Sequence, residues 1–322
     1  MVQGSTARVR AAGVAGSRDY RRGVRAGESG ANKLRVSVIV VAYNATRTIR
    51  ASLGALARQT DDDFDLMVVD SSTDGTAEIV RAEFPRVTVV RSETRLYPGA
   101  ARNRGISAAT GNVIAFVDSD CLAAADWVAQ LKAAHAAHDA GAIGGSVAPA
   151  NPESVIGWGA YLCEFAGWAP AGGIRRMPDI PTCNISYKRE ALEKYGPFRE
   201  LGYCSDTALN WKLTTAGDAP LFVPDLRVLH FNHERLGRFL SKQAMHGEAF
   251  AAMRRDEQRL KTWRRWVYCA GCSVLPGVLL GRMAIRVVAG GLTKEAVLAL
   301  PIVVPGLAAW SWGEARGYAA NR

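Results

Sequence analysis

The chain has 322 residues, 48% of them hydrophobic and 22% charged, and a formal net charge of +10. That is ample for one sizeable core with an appended module. A basic balance favours phosphates, nucleic acid or an anionic membrane surface, but no nucleic-acid recognition motif accompanies the charge, so nucleic acid is set aside as a partner.

Residues 1–33 are rich in Arg, Gly and Ala and hold no apolar stretch. They read as a mostly disordered basic arm without a secretory signal. Residues 36–42 form an apolar strand that Tyr43-Asn44 ends, and 46–59 have helical spacing, with Ile49, Leu53 and Leu56 on one face. A second strand covers 65–70. Ser71-Ser72-Thr73-Asp74-Gly75 is turn chemistry, with Asp74 placed to cap a helix over 76–84. A third strand covers 87–90. Pro98-Gly99 opens a helix that Thr110-Gly111 stops. Residues 113–117 are a fourth strand, 126–140 a helix ended by Gly141, and 143–148 a fifth strand. Segment 151–181 changes character: Pro, Gly, Trp158, Tyr161, Phe165 and Trp168 make it a long aromatic connection, a kind that is often functional. A strand over 184–188 and a short helix over 189–195 follow. A helix over 206–216 starts on Asp206, and a short strand over 227–229 ends at His230.

Residues 254–265 are basic and helical. Residues 266–288 are apolar but interrupted by Pro276, Arg282 and Arg286, and 296–312 are apolar with Pro301 and Pro305. The alternating order predicts an α/β fold with a mostly parallel sheet, helices on both faces, and apolar helices appended at the C-terminal end. Three parts are expected: the arm over 1–33, a catalytic domain over 34–250, and a basic and apolar helical region over 251–322. No G-x-G-x-x-G or G-x-x-x-x-G-K-[ST] follows the first strand, which argues against a dinucleotide enzyme and a P-loop NTPase. The six cysteines are scattered and suggest no disulfide framework, as in a reducing compartment. Cys269-x-x-Cys272 has no second pair and lies in an apolar segment, where small residues pack helices.

The chemistry concentrates at Asp118-Ser119-Asp120, directly after the apolar run 113–117. Two acids at i and i+2 at the carboxyl end of a strand make an oxygen-ligand site where open α/β sheets place ligands. Carboxylates suit hard divalent cations such as Mg²⁺ or Mn²⁺. Asp70, after another apolar run, and Asp206, far downstream, bracket the triplet. Strand-end acids, a metal and a later lone carboxylate point to transfer from a phosphate-bearing donor.

From about Arg35 to about Gly247 the chain resembles family 2 glycosyltransferases of the GT-A fold. Four pieces carry the resemblance: Val38-Ile39-Val40-Val41-Ala42-Tyr43-Asn44, Val69-Asp70-Ser71-Ser72-Thr73-Asp74-Gly75-Thr76, Pro98-Gly99-Ala100-Ala101-Arg102-Asn103-Arg104-Gly105, and Phe116-Val117-Asp118-Ser119-Asp120. The resemblance implies that Asp70 accepts a hydrogen bond from the donor's base. An acid there suits uracil, thymine or guanine better than cytosine, hence a UDP, GDP or dTDP sugar. It implies that Tyr43 and Asn44 line the base and ribose pocket, that Arg102 faces the nucleotide, that Asp118 sits near ribose and metal, and that Asp120 and His230 reach the metal. It implies a catalytic base at Asp206, where the family has an E-D pair at a helix start. Here the dipeptide is Ser205-Asp206, so the first acid is missing. His233, Arg238, Lys242 and Gln243 are further candidates near the donor phosphates, and Trp158 and Trp168 are candidate stacking surfaces. The sugar ring is expected under Gly144-Gly145.

The implied reaction is a single displacement with inversion, assisted by Mg²⁺ or Mn²⁺, onto a glycan or lipid-linked acceptor. A spanning helix needs about 20 apolar residues, and both C-terminal segments are too short or too charged. They are expected as interfacial helices on the cytoplasmic face of the membrane, with Trp263, Trp266, Trp310 and Trp312 at headgroup depth and residues 254–265 facing anionic lipid. Two other readings compete. A sugar-nucleotidyltransferase would need a Gly-rich basic loop after the first strand, which is not there. A membrane-attached nucleotide-sugar-binding protein would have lost the acids, and all three are present.

Overall fold

Every residue of Val36–Ala42 except Val41 is buried, so this first strand, β1, is covered on both faces and sits mid-sheet. The computed structural model describes residues 34–200 and 202–320; the expected basic arm lies outside the described residues. β1 pairs in parallel with β2 (Phe64–Asp70) on one side and β4 (Val113–Asp118) on the other. β3 (Thr88–Arg91) extends the parallel part beyond β2. The register sets Ala42 against Asp70 and Val41 against Asp118. The two acids therefore flank the carboxyl end of β1, one on each neighbouring strand. Helices α1 (Ile49–Leu56), α2 (Thr76–Glu83) and α3 (Pro98–Ala108) connect these strands close to the expected bounds.

The other half of the sheet is not parallel. β5 (Cys121–Ala123), β6 (Ala142–Pro149), β7 (Arg175–Arg176), β8 (Ile185–Lys188) and β9 (Leu221–His230) complete the order β3-β2-β1-β4-β8-β6-β9-β5, with β7 also on β9. β8 runs antiparallel to both β4 and β6, and β9 is parallel to β6 but antiparallel to β5 and β7. The sheet is thus mixed. β9 is longer than the short strand expected at 227–229. Its register on β6 jumps from Val223 to Arg227, so Pro224 and Asp225 lie in an irregularity where no ladder donor is needed. Helices α4 (Trp127–Ala137), α6 (Arg189–Tyr195) and α7 (Ser205–Thr215) complete the expected set. The aromatic connection holds an unexpected helix, α5 (Val155–Phe165), whose first turn is capped by the Ser154 hydroxyl accepting from the Gly157 N–H at 3.0 Å.

Four helices close the chain: α8 (Leu236–Glu257), α9 (Thr262–Gly271), α10 (Leu275–Ala289) and α11 (Thr293–Ala319). The expected helix over 254–265 is instead split at residues 258–261, where Arg259 takes a left-handed φ of 46°. Pro301 and Pro305 sit inside α11 without ending it. α11 packs along both α8 and α5, which holds the helix through the two missing N–H groups. Its inner face belongs to the main core: Ala299, Val303 and Leu307 join the cluster that includes Val38, Val117 and Val147. Cys272 is buried and the Cys269 thiol lies 3.6 Å from the Ala315 carbonyl, so this pair packs α9 against α11; none of the six cysteines is in a disulfide.

Candidate functional site

The turn after β1 is tied to the turn after β2. Asn44, at a left-handed φ of 53°, donates its N–H to Ser72 Oγ at 2.8 Å and accepts the Thr73 N–H on Oδ1 at 2.9 Å. Asp74 accepts from the N–H and hydroxyl of Thr76 and from those of Thr46, so it ties the first residue of α2 to the turn before α1; the expected cap position is taken by Gly75, at a left-handed φ of 88°. Asp70 is fully buried; its carboxylate accepts the Ser72 hydroxyl at 2.6 Å and is paired with the Arg91 guanidinium of β3. Tyr43 is exposed under the Arg95 guanidinium, 4.5 Å from its ring centroid, and the same guanidinium lies 5.5 Å from Tyr97.

Beside this group, a cavity of about 500 Å³ opens at the carboxyl ends of the strands, lined by Arg102, Asp118, Asp120, Asp206 and His230. Tyr43, Asn44 and Asp70 do not line it; they stand at the neighbouring ends of β1 and β2. Arg102, buried in α3, bonds Ser205 Oγ at 3.1 Å and lies 3.7 Å from the Asp118 carboxylate. Ser205 thus occupies, buried, the place where an acid was expected. Burial pushes the Asp118 carboxyl above the usual carboxylate range; Arg102 opposes this and Asp120 adds to it.

His230 ends β9, opposite Cys121 of β5. Its Nε2 lies 3.6 Å from Asp120 Oδ1, and its Nδ1 lies 3.0 Å from Asn232 Oδ1. The Asn232 amide donates to the His230 carbonyl at 3.1 Å, which fixes Oδ1 toward the ring. A carbonyl oxygen only accepts, so Nδ1 carries a proton, and Nε2 is the ring nitrogen turned toward Asp120. Ligand atoms of Asp120, Cys121 and His230 all lie within 4.8 Å of one another. The clustered atoms are a carboxylate oxygen, a thiol and an imidazole nitrogen, donors that can hold a divalent cation; Asp118 lines the same cavity but is outside this cluster.

Asp206 stands in the first turn of α7. Its Oδ2 accepts the Thr182 hydroxyl at 3.0 Å, and its Oδ1 accepts the Thr207 N–H at 3.0 Å. Sequence reasoning missed the acid beside it. Asp179 lines the same cavity from an irregular segment, and burial together with the Asp206 charge pushes its carboxyl up to about 7. The C-terminal helices supply another wall through Lys242, His246, Phe250, Arg286 and Trp310. Burial opposes the Lys242 charge, but Glu164 holds it above its usual range. Burial and Lys242 lower His246 to about 4. Of the other candidates, Trp168 lines the cavity and donates its indole N–H to the Asp179 carbonyl at 2.9 Å. Trp158 packs edge-on against Tyr161, and Gln243 is buried against Glu164. Gly144 and Gly145 lie inside β6 and do not reach the cavity.

A mixed sheet with acids at the carboxyl ends of its parallel strands has the architecture of the GT-A glycosyltransferases. Residues 37–196 match the family model Glycosyl transferase family 2, and the chain belongs to that family. Among curated proteins, the glycosyltransferase AglE of Haloferax volcanii is 27% identical over 220 residues, covering 66% of this chain and 72% of that protein. The UDP-Glc:alpha-D-GlcNAc-diphosphoundecaprenol beta-1,3-glucosyltransferase WfgD of Escherichia coli is 33% identical over 96 residues, 29% of this chain and 36% of its own length. Among solved structures, the mannosyltransferase PcManGT of Pyrobaculum calidifontis, in complex with GDP-Man and Mn2+, shares the fold at a TM-score of 0.60 and 21% identity, over 88% of each chain.

Proposed function

We propose that the chain transfers a sugar from a nucleoside-diphosphate donor to a hydroxyl acceptor by one inverting displacement. The observation that carries this is the single cavity lined by Asp118, Asp120, His230, Arg102 and Asp206. In this reading Asp118, Asp120 and His230 would hold a Mg²⁺ or Mn²⁺ ion, which would supply Lewis-acid neutralisation of the leaving diphosphate. Arg102 keeps a buried positive charge against Asp118. Asp206, oriented by Thr182 and Thr207, takes the proton of the attacking hydroxyl. Tyr43, Asn44 and Asp70 form the base-and-ribose side, on the adjacent strand ends. That reading suits a UDP, GDP or dTDP donor.

The acceptor is proposed to be a glycan or lipid-linked precursor, with residues 251–322 working as a membrane-associated region behind a catalytic domain over 34–250, on the cytoplasmic face. Exposed apolar side chains on α9, α10 and α11 support this: Trp266 at 59%, Ile285 at 72% and Trp312 at 64% exposure. α11 is long and apolar enough to cross a membrane, but 39% of its most apolar window is buried. α9 and α10 meet at 67°. That arrangement suits helices lying on the surface better than a spanning hairpin. Trp310 departs from the expected belt, since it packs on Phe250 and lines the cavity.

The test is a thermal-shift panel of UDP, GDP, dTDP and CDP, with and without Mn²⁺. A ligand at 100-fold excess over its Kd adds about 2.7 kcal/mol. One of the first three is expected to stabilise the protein with metal, and Asp120→Ala to lose that effect; no shift with any nucleotide sinks the reading. Asp206→Asn is expected to keep the shift and abolish transfer, and comparable turnover by that variant removes Asp206 from the role of base.

A further inference from the structure

Asp179 is not among the residues assigned above to donor or metal, yet it is built into the cavity as firmly as Asp206. Its Oδ2 accepts the Thr207 hydroxyl at 2.8 Å and its Oδ1 accepts the Asn210 amide at 2.8 Å. Asn210 is itself fixed: its amide also donates to the Ile180 carbonyl at 2.8 Å, and its oxygen accepts the Tyr187 hydroxyl at 2.7 Å. Thr207 therefore bridges two acids, with its N–H on Asp206 and its hydroxyl on Asp179. Each carboxyl oxygen accepts more than one hydrogen bond, so both acids keep lone pairs for a ligand in the cavity they share.

Packing alone does not call for a second acid here. An Asn at 179 would meet the same Thr207 and Asn210 partners without placing one buried carboxyl beside another, a neighbour that pushes this one up to about 7. Position 205 adds an independent observation. The acid expected beside Asp206 is a serine whose hydroxyl oxygen accepts from Arg102, so α7 itself offers only one carboxyl at its start. The second comes from the loop.

We propose that Asp179 is a specificity-determining residue for the acceptor: it receives a second hydroxyl of the acceptor sugar while Asp206 takes the proton of the attacking one. The ligand class is a sugar with two neighbouring hydroxyls. This rests on the glycosyl-transfer reading above.

The experiment uses the full chain, with a sugar nucleotide chosen by thermal stabilisation in Mn²⁺. Acceptors are octyl glycosides of glucose, galactose, mannose and N-acetylglucosamine, each beside analogues deoxygenated next to the glycosylated carbon. On the unsubstituted protein, removing the neighbouring hydroxyl is expected to lower kcat/KM at least tenfold. Asp179→Asn is expected to raise the acceptor KM at least tenfold, with kcat changing less and nucleotide stabilisation retained, and to lose the discrimination against deoxy analogues. Asp179→Glu should restore part of it. Deoxy acceptors that work as well as their parents overturn the proposal. So does donor hydrolysis with no transfer to any glycoside. Absence of all nucleotide stabilisation sinks the glycosyl-transfer reading itself, and this proposal with it.

Discussion

Asn232 decides which face His230 shows to the cavity. By accepting from Nδ1 it turns Nε2 toward Asp120. Asn232→Ala is expected to raise the Mn²⁺ concentration needed for nucleotide stabilisation about 10-fold or more, the usual scale for loss of a supporting partner; titration of Mn²⁺ by thermal shift checks it. Asp179 gives a second prediction, about stability. Its folded carboxyl is raised from about 3.8 to about 7 by burial and by Asp206. Below pH 4 it is protonated in both folded and unfolded chains and costs nothing. Between pH 4 and 7 the unfolded chain releases the proton and the folded one does not, so the cost grows with pH and is constant above 7. Asp179→Asn removes that cost. Its melting temperature should exceed that of the parent at pH 8 and match it at pH 4, and a pH-independent difference would count against a buried, raised acid. The triplet 118–120, Asp70 and Asp206 were all readable from sequence because each follows or opens a regular element. Asp179 was not, because it sits in an irregular segment that only tertiary contacts with α7 and Trp168 bring to the cavity.

At the scale of elements, the crossing of α8 and α11 is set by glycine. A Cβ on Gly313 would stand 1.9 Å from the Ala244 carbonyl oxygen, and one on Gly247 2.1 Å from that of Trp310. Both clashes are with backbone, so the helices must separate to admit a methyl. Gly313→Ala and Gly247→Ala should each cost about 1–3 kcal/mol in urea unfolding, and the pair less than the sum because they open one crossing. Unchanged midpoints would mean the helices pack further apart. The same crossing explains part of what the sequence hid. Residues 296–312, with two prolines, read as too short to span, but packing on two partners carries α11 through Pro301 and Pro305, from Thr293 to Ala319. α5 read as an aromatic connection because Gly157 and Gly159 blur its pattern, although the cap at Ser154 was there to be seen. Pro224 hid the first half of β9. The parallel strands were legible because both their faces are buried, which leaves an uninterrupted apolar run.

For the whole molecule, the C-terminal helices are part of the fold and not a detachable anchor. Removing residues 266–322 would take Met283, Val287, Ala299, Val303 and Leu307 out of the main core, so that truncation is expected to unfold the protein. The basic residues near them also have structural work. Arg255 and Arg265 donate to the carbonyls of Gly317, Tyr318 and Ala320, and Arg254 lies 4.3 Å from the Tyr268 ring, so these three clasp the end of α11 instead of facing lipid. A surface substitution is the cleaner test of attachment. Trp266→Ser with Ile285→Ser should weaken sedimentation with phosphatidylglycerol vesicles at least tenfold, about 1.4 kcal/mol, with the melting temperature unchanged. Undiminished binding would move the contact to another face. α11 presents Trp310 to the cavity and, two residues on, Trp312 to the outside. One helix, about 10 Å across, then separates the cavity from the exposed apolar face. A long-tailed acceptor in the proposed setting could keep its tail in oil while its head reaches Asp206, and the soluble donor would arrive from the water side. Two substrates that do not share a solvent would meet without either crossing into the other's.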